Sequence, residues 1–176
     1  MIKRISILIL FCLCSYSAIS QIKIKIEKAT ITLPTQAKKL TKKERNETLD
    51  KKLKVEELIA NADAENNYEV DGMLLTFNGY NVDGNRNYLK GLELSKKNRK
   101  KSLGITDKYF YISNITINGN QILLDRNKAA YHCYYNFFVV NSDFTYSVRG
   151  SLRYLEGEET KSRAIIDQIL NNIIIK

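Results

Sequence analysis

The residues best equipped for chemistry stand side by side. In the stretch KAAYHCYYNFFVV the single histidine of the chain, His132, directly precedes Cys133. A thiol beside an imidazole is the raw material of a cysteine nucleophile with its base, provided that the two side chains can meet. Aromatic and β-branched residues dominate the stretch, so it reads as a strand, where successive side chains leave opposite faces. Tyr131, Cys133, Tyr135, Phe137 and Val139 then share an apolar face, while His132 falls with Tyr134 and Asn136. Geometry separates the couple. A reactive thiolate would also need a base or an electropositive pocket to lower its pKa, and the chain offers no second histidine. No catalytic residue is assigned.

Metal chemistry is equally short of parts. A zinc site takes about four Cys, His or carboxylate ligands in a recognisable spacing, which one histidine and one cysteine of the mature chain do not supply. The loop NVDGNRN places Asp83, Asn85 and Asn87 at alternate positions, as a calcium loop does. Tyr88, however, stands where the sharp-turn glycine is required, Leu94 replaces the bidentate acid, and Arg86 adds an unwanted cation. The segment reads as a polar loop, and neither metal nor cofactor is assigned. No G-x-S-x-G elbow and no phosphate-cradling glycine loop appear, and the acids of the mature chain show no paired placement that suggests glycoside chemistry, so the chain reads as a non-enzyme.

One charged motif is left. SKKNRKK carries five cations in seven residues: Lys96, Lys97, Arg99, Lys100 and Lys101. Read as a cationic loop between strands, it is the candidate binding segment for phosphate, sulfate or an acidic protein surface, with Tyr109 and Tyr111 as stacking area. A solvated turn with no partner is the competing reading. The whole chain carries a formal charge of +9, which becomes +7 when the two charges of Lys3 and Arg4 are subtracted with residues 1–20. That balance favours anionic partners without choosing among them.

Those two residues open a tripartite N-terminus. Lys3 and Arg4 precede an apolar run from Ile5 to Leu13, followed by small and polar residues through Ser20. The order is that of a secretory signal peptide, with cleavage after Ser20, and the run is shorter than the roughly 20 residues that cross a bilayer. A lipid-modified Cys12 or Cys14 is the competing reading; the bulky Phe11 and Leu13 before them argue against it. Export makes RNA or DNA a poor candidate partner. It also permits disulfides, but Cys133 would be the lone cysteine of the mature chain, either a buried hydrophobe or half of an intermolecular bridge.

The elements that must position these groups follow from periodicity. Residues 21–176 are expected to form one α+β domain, with no Gly/Ser-rich linker and Pro34 as the only proline. Within residues 21–66, QIKIKIEKATITLP reads as an edge strand whose apolar parity shifts near Glu27-Lys28. Thr41 and Glu44 have capping-box spacing, opening a charged helix with an apolar stripe from Leu49 to Ala62. Within residues 67–176, YEVDGMLLTF and YISNITI read as strands ending at Asn78-Gly79 and Asn118-Gly119 turns. A hairpin turns at Asn141-Ser142-Asp143, after which Phe144, Tyr146, Val148 and Leu152 mark a dry face and Ser147, Arg149, Ser151 and Arg153 a wet one. Glu158 and Glu159 open a final helix with Ala164, Ile166, Ile169, Leu170 and Ile173 on its apolar stripe. The expectation is an antiparallel sheet of about five to seven strands with an N-terminal and a C-terminal helix packed on it.

The final third, AYHCYYNFFVVNSDFTYSVRGSLRYLEGEETKSRAIIDQILNNIIIK, resembles the end of the Mog1/PsbP-like family: paired long antiparallel strands, a short acidic turn, then a helix of the form AIIDQILNNI. The resemblance implies an α/β/α sandwich used for docking onto other proteins. It assigns no residue a role. Together these readings point to an exported, non-enzymatic binding or accessory protein whose partner is a protein or an anionic envelope component. A periplasmic immunity protein against a toxin, and a hydrolase with an unrecognised site, are the alternatives.

Overall fold

The computed structural model describes residues 21–48, 66–128 and 132–176. The segment read as a signal peptide, the apolar stripe from Leu49 to Ala62, and Tyr131 lie outside them. Two sheets organise the chain, both antiparallel throughout. The smaller has the order β1-β2-β10, from β1 (Ile22–Ile26), β2 (Ala29–Leu33) and β10 (Ile173–Ile175). The larger has the order β3-β4-β5-β9-β8-β7-β6. Its strands are β3 (Lys38–Lys39), β4 (Asn66–Val70), β5 (Met73–Asn81), β6 (Tyr111–Ile117), β7 (Asn120–Lys128), β8 (Cys133–Val140) and β9 (Tyr146–Tyr154).

Three described helices accompany them: α1 (Lys42–Glu47), α2 (Tyr88–Ser102) and α3 (Glu159–Asn171). The expected capping box opens α1, where the Thr41 hydroxyl accepts from the Glu44 amide and the Glu44 carboxylate accepts from the Thr41 amide. Those bonds, with Lys38 nearby, lower the Glu44 pKa to about 2.

Strand parity decides what each face of the large sheet holds. One face carries Met73, Leu75 and Phe77 of β5, Val148, Leu152 and Tyr154 of β9, and Cys133, Tyr135, Phe137 and Val139 of β8. On this face pack α3, through Ile165, Ile166, Ile169 and Leu170, and β2, through Ile31 and Leu33. Burying each such aliphatic side chain contributes about 1.5–3 kcal/mol, so this face is the main core. The opposite face holds a smaller apolar cluster in which Leu89 of α2 meets Leu123, Val140 and Phe144. Helices therefore cover both faces of the sheet.

Several local readings hold. Glu27, at φ 42°, and Lys28 make the turn that shifts the apolar parity between β1 and β2, and β1 is an edge with Lys23 and Lys25 exposed. Asn118-Gly119 turns between β6 and β7 with φ of 52° and 79°. Others are corrected. The segment YEVDGMLLTF is two strands, because Asp71-Gly72, at φ 52° and 84°, is itself a hairpin turn. Asn78-Gly79 is not a turn but lies within β5, opposite Arg149 and Val148. Gly79 serves sterics there: a Cβ would collide with the Tyr146 phenol, whose hydroxyl crosses to donate to the Ile26 carbonyl at 3.3 Å and ties the two sheets together.

The helices also depart from expectation. The basic run Lys96 to Lys101 is not a loop but the body of α2. Ile173 leaves the last helix and pairs with Ile31 as the start of β10, and Ala164 is exposed. Three consecutive isoleucines favour a strand over a further helical turn. Phe144 lies at φ 60° in the β8–β9 turn and buries on the α2 side rather than the main core.

Candidate functional site

The path of α2 creates the site. β5 is third in the large sheet and β6 is the last strand, so the connection between them must cross β9, β8 and β7. It crosses as a helix on the polar face, and the space between helix and strands is a cleft of about 540 Å³. That size suits a small organic ligand.

Two cross-strand rows run along this face of the sheet. Asn127, Tyr134 and Arg153 are register partners, as are Asp125, Asn136 and Ser151. Asp125 is fully buried, and its Oδ1 accepts from Asn127 Nδ2 at 2.7 Å and from Asn136 Nδ2 at 2.9 Å. Its Oδ2 takes the Lys96 ammonium at 2.6 Å. Lys96 also stands 4.9 Å from the centre of the Phe138 ring, so one lysine of the basic run clamps helix to sheet rather than facing outward.

Helical spacing divides the rest of that run. Lys96, Arg99, Lys100 and Leu103 recur at i, i+3, i+4 and i+7 and line the cleft. Lys97 pairs with Glu93 at 2.5 Å along the helix, and neither it nor Lys101 lines the cleft. Lys100 is paired with Asp107 and lies 5.0 Å from the Phe110 ring. Lys128, at the end of β7, also lines the cleft, with its ammonium held by Glu156 at 2.6 Å and 4.3 Å from the Tyr109 ring. Tyr109 stands with Lys108 and Lys128, whereas Tyr111 stands with Arg163 of α3.

His132 and Cys133 lie where strand parity put them. Cys133 is buried in the main core, and its thiol pKa is raised, first by burial and then by Glu159 and Glu156. His132 is 2% exposed and lines the cleft. Burial, reinforced by the Arg153 charge, pushes its pKa down to about 4, so the imidazole is neutral at physiological pH. Its Nε2 then accepts from Arg153 Nη1 at 3.2 Å. An imidazole so depressed, with its lone pair already engaged, is a poor general base. Burial raises the Tyr134 pKa, with Asp125 adding to the effect and Arg99 and Arg153 opposing it, so the phenol stays protonated and able to donate.

The site is therefore a cationic, partly aromatic cleft. It can hold an anion by charge and by donated hydrogen bonds. Of the five cations named from the sequence, Lys96, Arg99 and Lys100 line this cleft, on a helix rather than the expected loop. Sequence reasoning missed Lys128, Arg153, Asp125 and the role of His132. The alternation that put His132 with Tyr134 and Asn136, and Arg149 with Arg153, was the available signal; what it lacked was the helix above. Among the described residues no group of three or more His, Cys, Asp and Glu side chains converges as a metal site would require. The Asp83, Asn85 and Asn87 loop is spent locally, since Asp83 accepts from the Asn85 amide and Asn85 from the Asn87 amide at the entrance to α2.

This architecture is similar to that of the PsbP protein of the cyanobacterium Synechocystis (CyanoP), known from a solution structure. The likeness covers 92% of this chain and 96% of that one at 7% identity, with a TM-score of 0.54. The chain has the Mog1/PsbP-like fold. The Ran-binding protein Mog1p of Saccharomyces cerevisiae also aligns, over 90% of this chain and 96% of its own, at 8% identity and a TM-score of 0.48. No protein-family model and no curated protein matches the sequence. Among the described residues no helix is long and apolar enough to cross a membrane.

Proposed function

We propose that this chain is an exported, non-enzymatic binding or accessory protein that uses the cleft under α2 to hold an anionic group of a protein or envelope partner. One observation carries the reading: cations from three separate elements, Arg99 and Lys100 of α2, Lys128 of β7 and Arg153 of β9, face one cavity. Exposed lysines on a solvated helix repel one another and spread outward. Here they converge over a polar floor, an arrangement that concentrates positive potential where an anion can enter. Among the described residues the carboxylates whose pKa values move, Glu44, Glu93 and Glu156, all move down through hydrogen bonds and ion pairs near the surface. None resembles the raised acid that a hydrolase of the glycosidase or protease kind keeps in its pocket.

The triple substitution Arg99→Gln, Lys100→Gln, Lys128→Gln tests the reading. Immobilised wild-type protein should retain a defined partner from a native envelope extract, with retention falling as salt rises. The triple variant should lose that partner while its circular dichroism and melting temperature stay close to wild type. Equal retention by both proteins would remove the cleft from the account.

A further inference from the structure

The charges around the cleft are not equally committed. Lys96 is occupied by the buried Asp125 at 2.6 Å. Arg99 has no carboxylate within ion-pair distance among the described residues. Lys100 and Lys128 are paired, but with carboxylates whose side chains are 91% and 48% exposed, Asp107 and Glu156. Pairs of that kind contribute little in water and exchange readily for a better-placed anion. One unengaged guanidinium and two exchangeable ammonium groups therefore belong to residues that line the same cleft as Tyr134, whose phenol burial keeps protonated as a donor. That set exceeds what a single-charged carboxylate neutralises and matches a group carrying close to two negative charges.

Part of the remaining wall is apolar. Leu92 and Phe138 lie between helix and sheet, and Leu103, 61% exposed, also lines the cleft. A bare inorganic anion leaves those surfaces wet, whereas an ester presenting a ring or short chain covers them.

Resting on the reading of this cleft as the binding site, we infer that its ligand is a phosphate monoester. Its phosphoryl group is held by Arg99, Lys100 and Lys128 over the Tyr134 hydroxyl, and its carbon skeleton lies against Leu92, Leu103 and Phe138. The same chemistry is available from a soluble ester and from a phosphomonoester lipid headgroup at the envelope.

Isothermal titration of the purified protein with phenyl phosphate tests the inference. One-site binding is expected, tighter than for inorganic phosphate and about tenfold or more tighter than for benzoate, the ring-bearing monoanion. Arg99→Gln and Lys100→Gln should each weaken phenyl phosphate about tenfold or more, and Lys97→Gln, outside the cleft, should not. Flotation with phosphatidic acid vesicles separates the sources. Vesicle binding displaced by phenyl phosphate assigns the headgroup, and phenyl phosphate binding without flotation assigns a soluble ester. No heat at millimolar phenyl phosphate, equal affinity for benzoate, or indifference to Arg99→Gln overturns the inference. If envelope capture still depends on the cleft's cations in that event, the binding function stands and only the ligand class falls.

Discussion

His132 shows what a buried titratable group costs when its only strong neighbour has the same charge. Its imidazole titrates at about 4, against 6.5 for an unperturbed one, because burial and Arg153 both disfavour the cation. Between those values the unfolded chain binds the proton and the folded chain does not, so protons favour unfolding. Stability is therefore complete above about pH 6.5 and falls as pH drops toward 4, by at most about 3 kcal/mol from this residue. Urea unfolding measured from pH 7 to pH 4 should show that fall in wild type and a shallower one in His132→Gln, which cannot titrate. Identical slopes in the two proteins would mean that the ring is solvated in solution. Parity along KAAYHCYYNFFVV was enough to separate His132 from Cys133, because alternation is a property of the backbone alone. That Arg153 would cap Nε2 was not legible, since it depends on a register set by a turn whose key residues, Asn141 and Thr145, bond to each other through their side chains.

At the scale of elements, α2 explains why a helix can hide in a sequence. Its inward stripe begins apolar with Leu89 and Leu92 and continues as Lys96, Arg99 and Lys100, so the usual sign of amphipathicity fades after one turn. A polar sheet face makes that stripe favourable: the Lys96 and Lys100 ammonium groups stand over the Phe138 and Phe110 rings and reach carboxylates at the same time. Gly91 and the density of cations complete the disguise. The C-terminal helix, whose stripe Ile166, Ile169 and Leu170 faces an apolar core, was readable for the opposite reason. The same logic assigns Lys96 the task of fastening α2. Lys96→Met leaves the buried Asp125 carboxylate with only its two asparagine donors, and it should destabilise the protein by about 3 kcal/mol. Adding Asp125→Asn removes the stranded charge and should return a large part of that loss. A double-mutant cycle by chemical denaturation with no coupling between the two sites would contradict the clamp.

For the whole molecule, the two faces of the large sheet are unequal partners. The main core joins α3, the small sheet and five strands of the large one, and Tyr146 stitches the sheets through the gap left by Gly79. The α2 side rests on a cluster of four buried hydrophobic residues and on one buried ion pair. Local opening follows the weaker layer, because its free energy scales with the apolar surface and hydrogen bonds given up. Native-state hydrogen exchange should accordingly find the α2 amides exchanging through an opening that leaves α3 and the β8–β9 pair protected. Lys96→Met should speed exchange across α2 without altering the most protected amides of β8 and β9 beyond its effect on global stability. Were α2 and α3 to exchange at one common free energy, the two layers would form a single cooperative unit and the cleft would be rigid. A separately opening roof has a functional consequence, since any anion drawn under α2 must cross Arg99, Lys100 and Lys128 and, once seated, joins helix to sheet by charge. Binding and ordering of α2 would then be one event, visible as slower α2 exchange in the presence of whatever anion the cleft accepts.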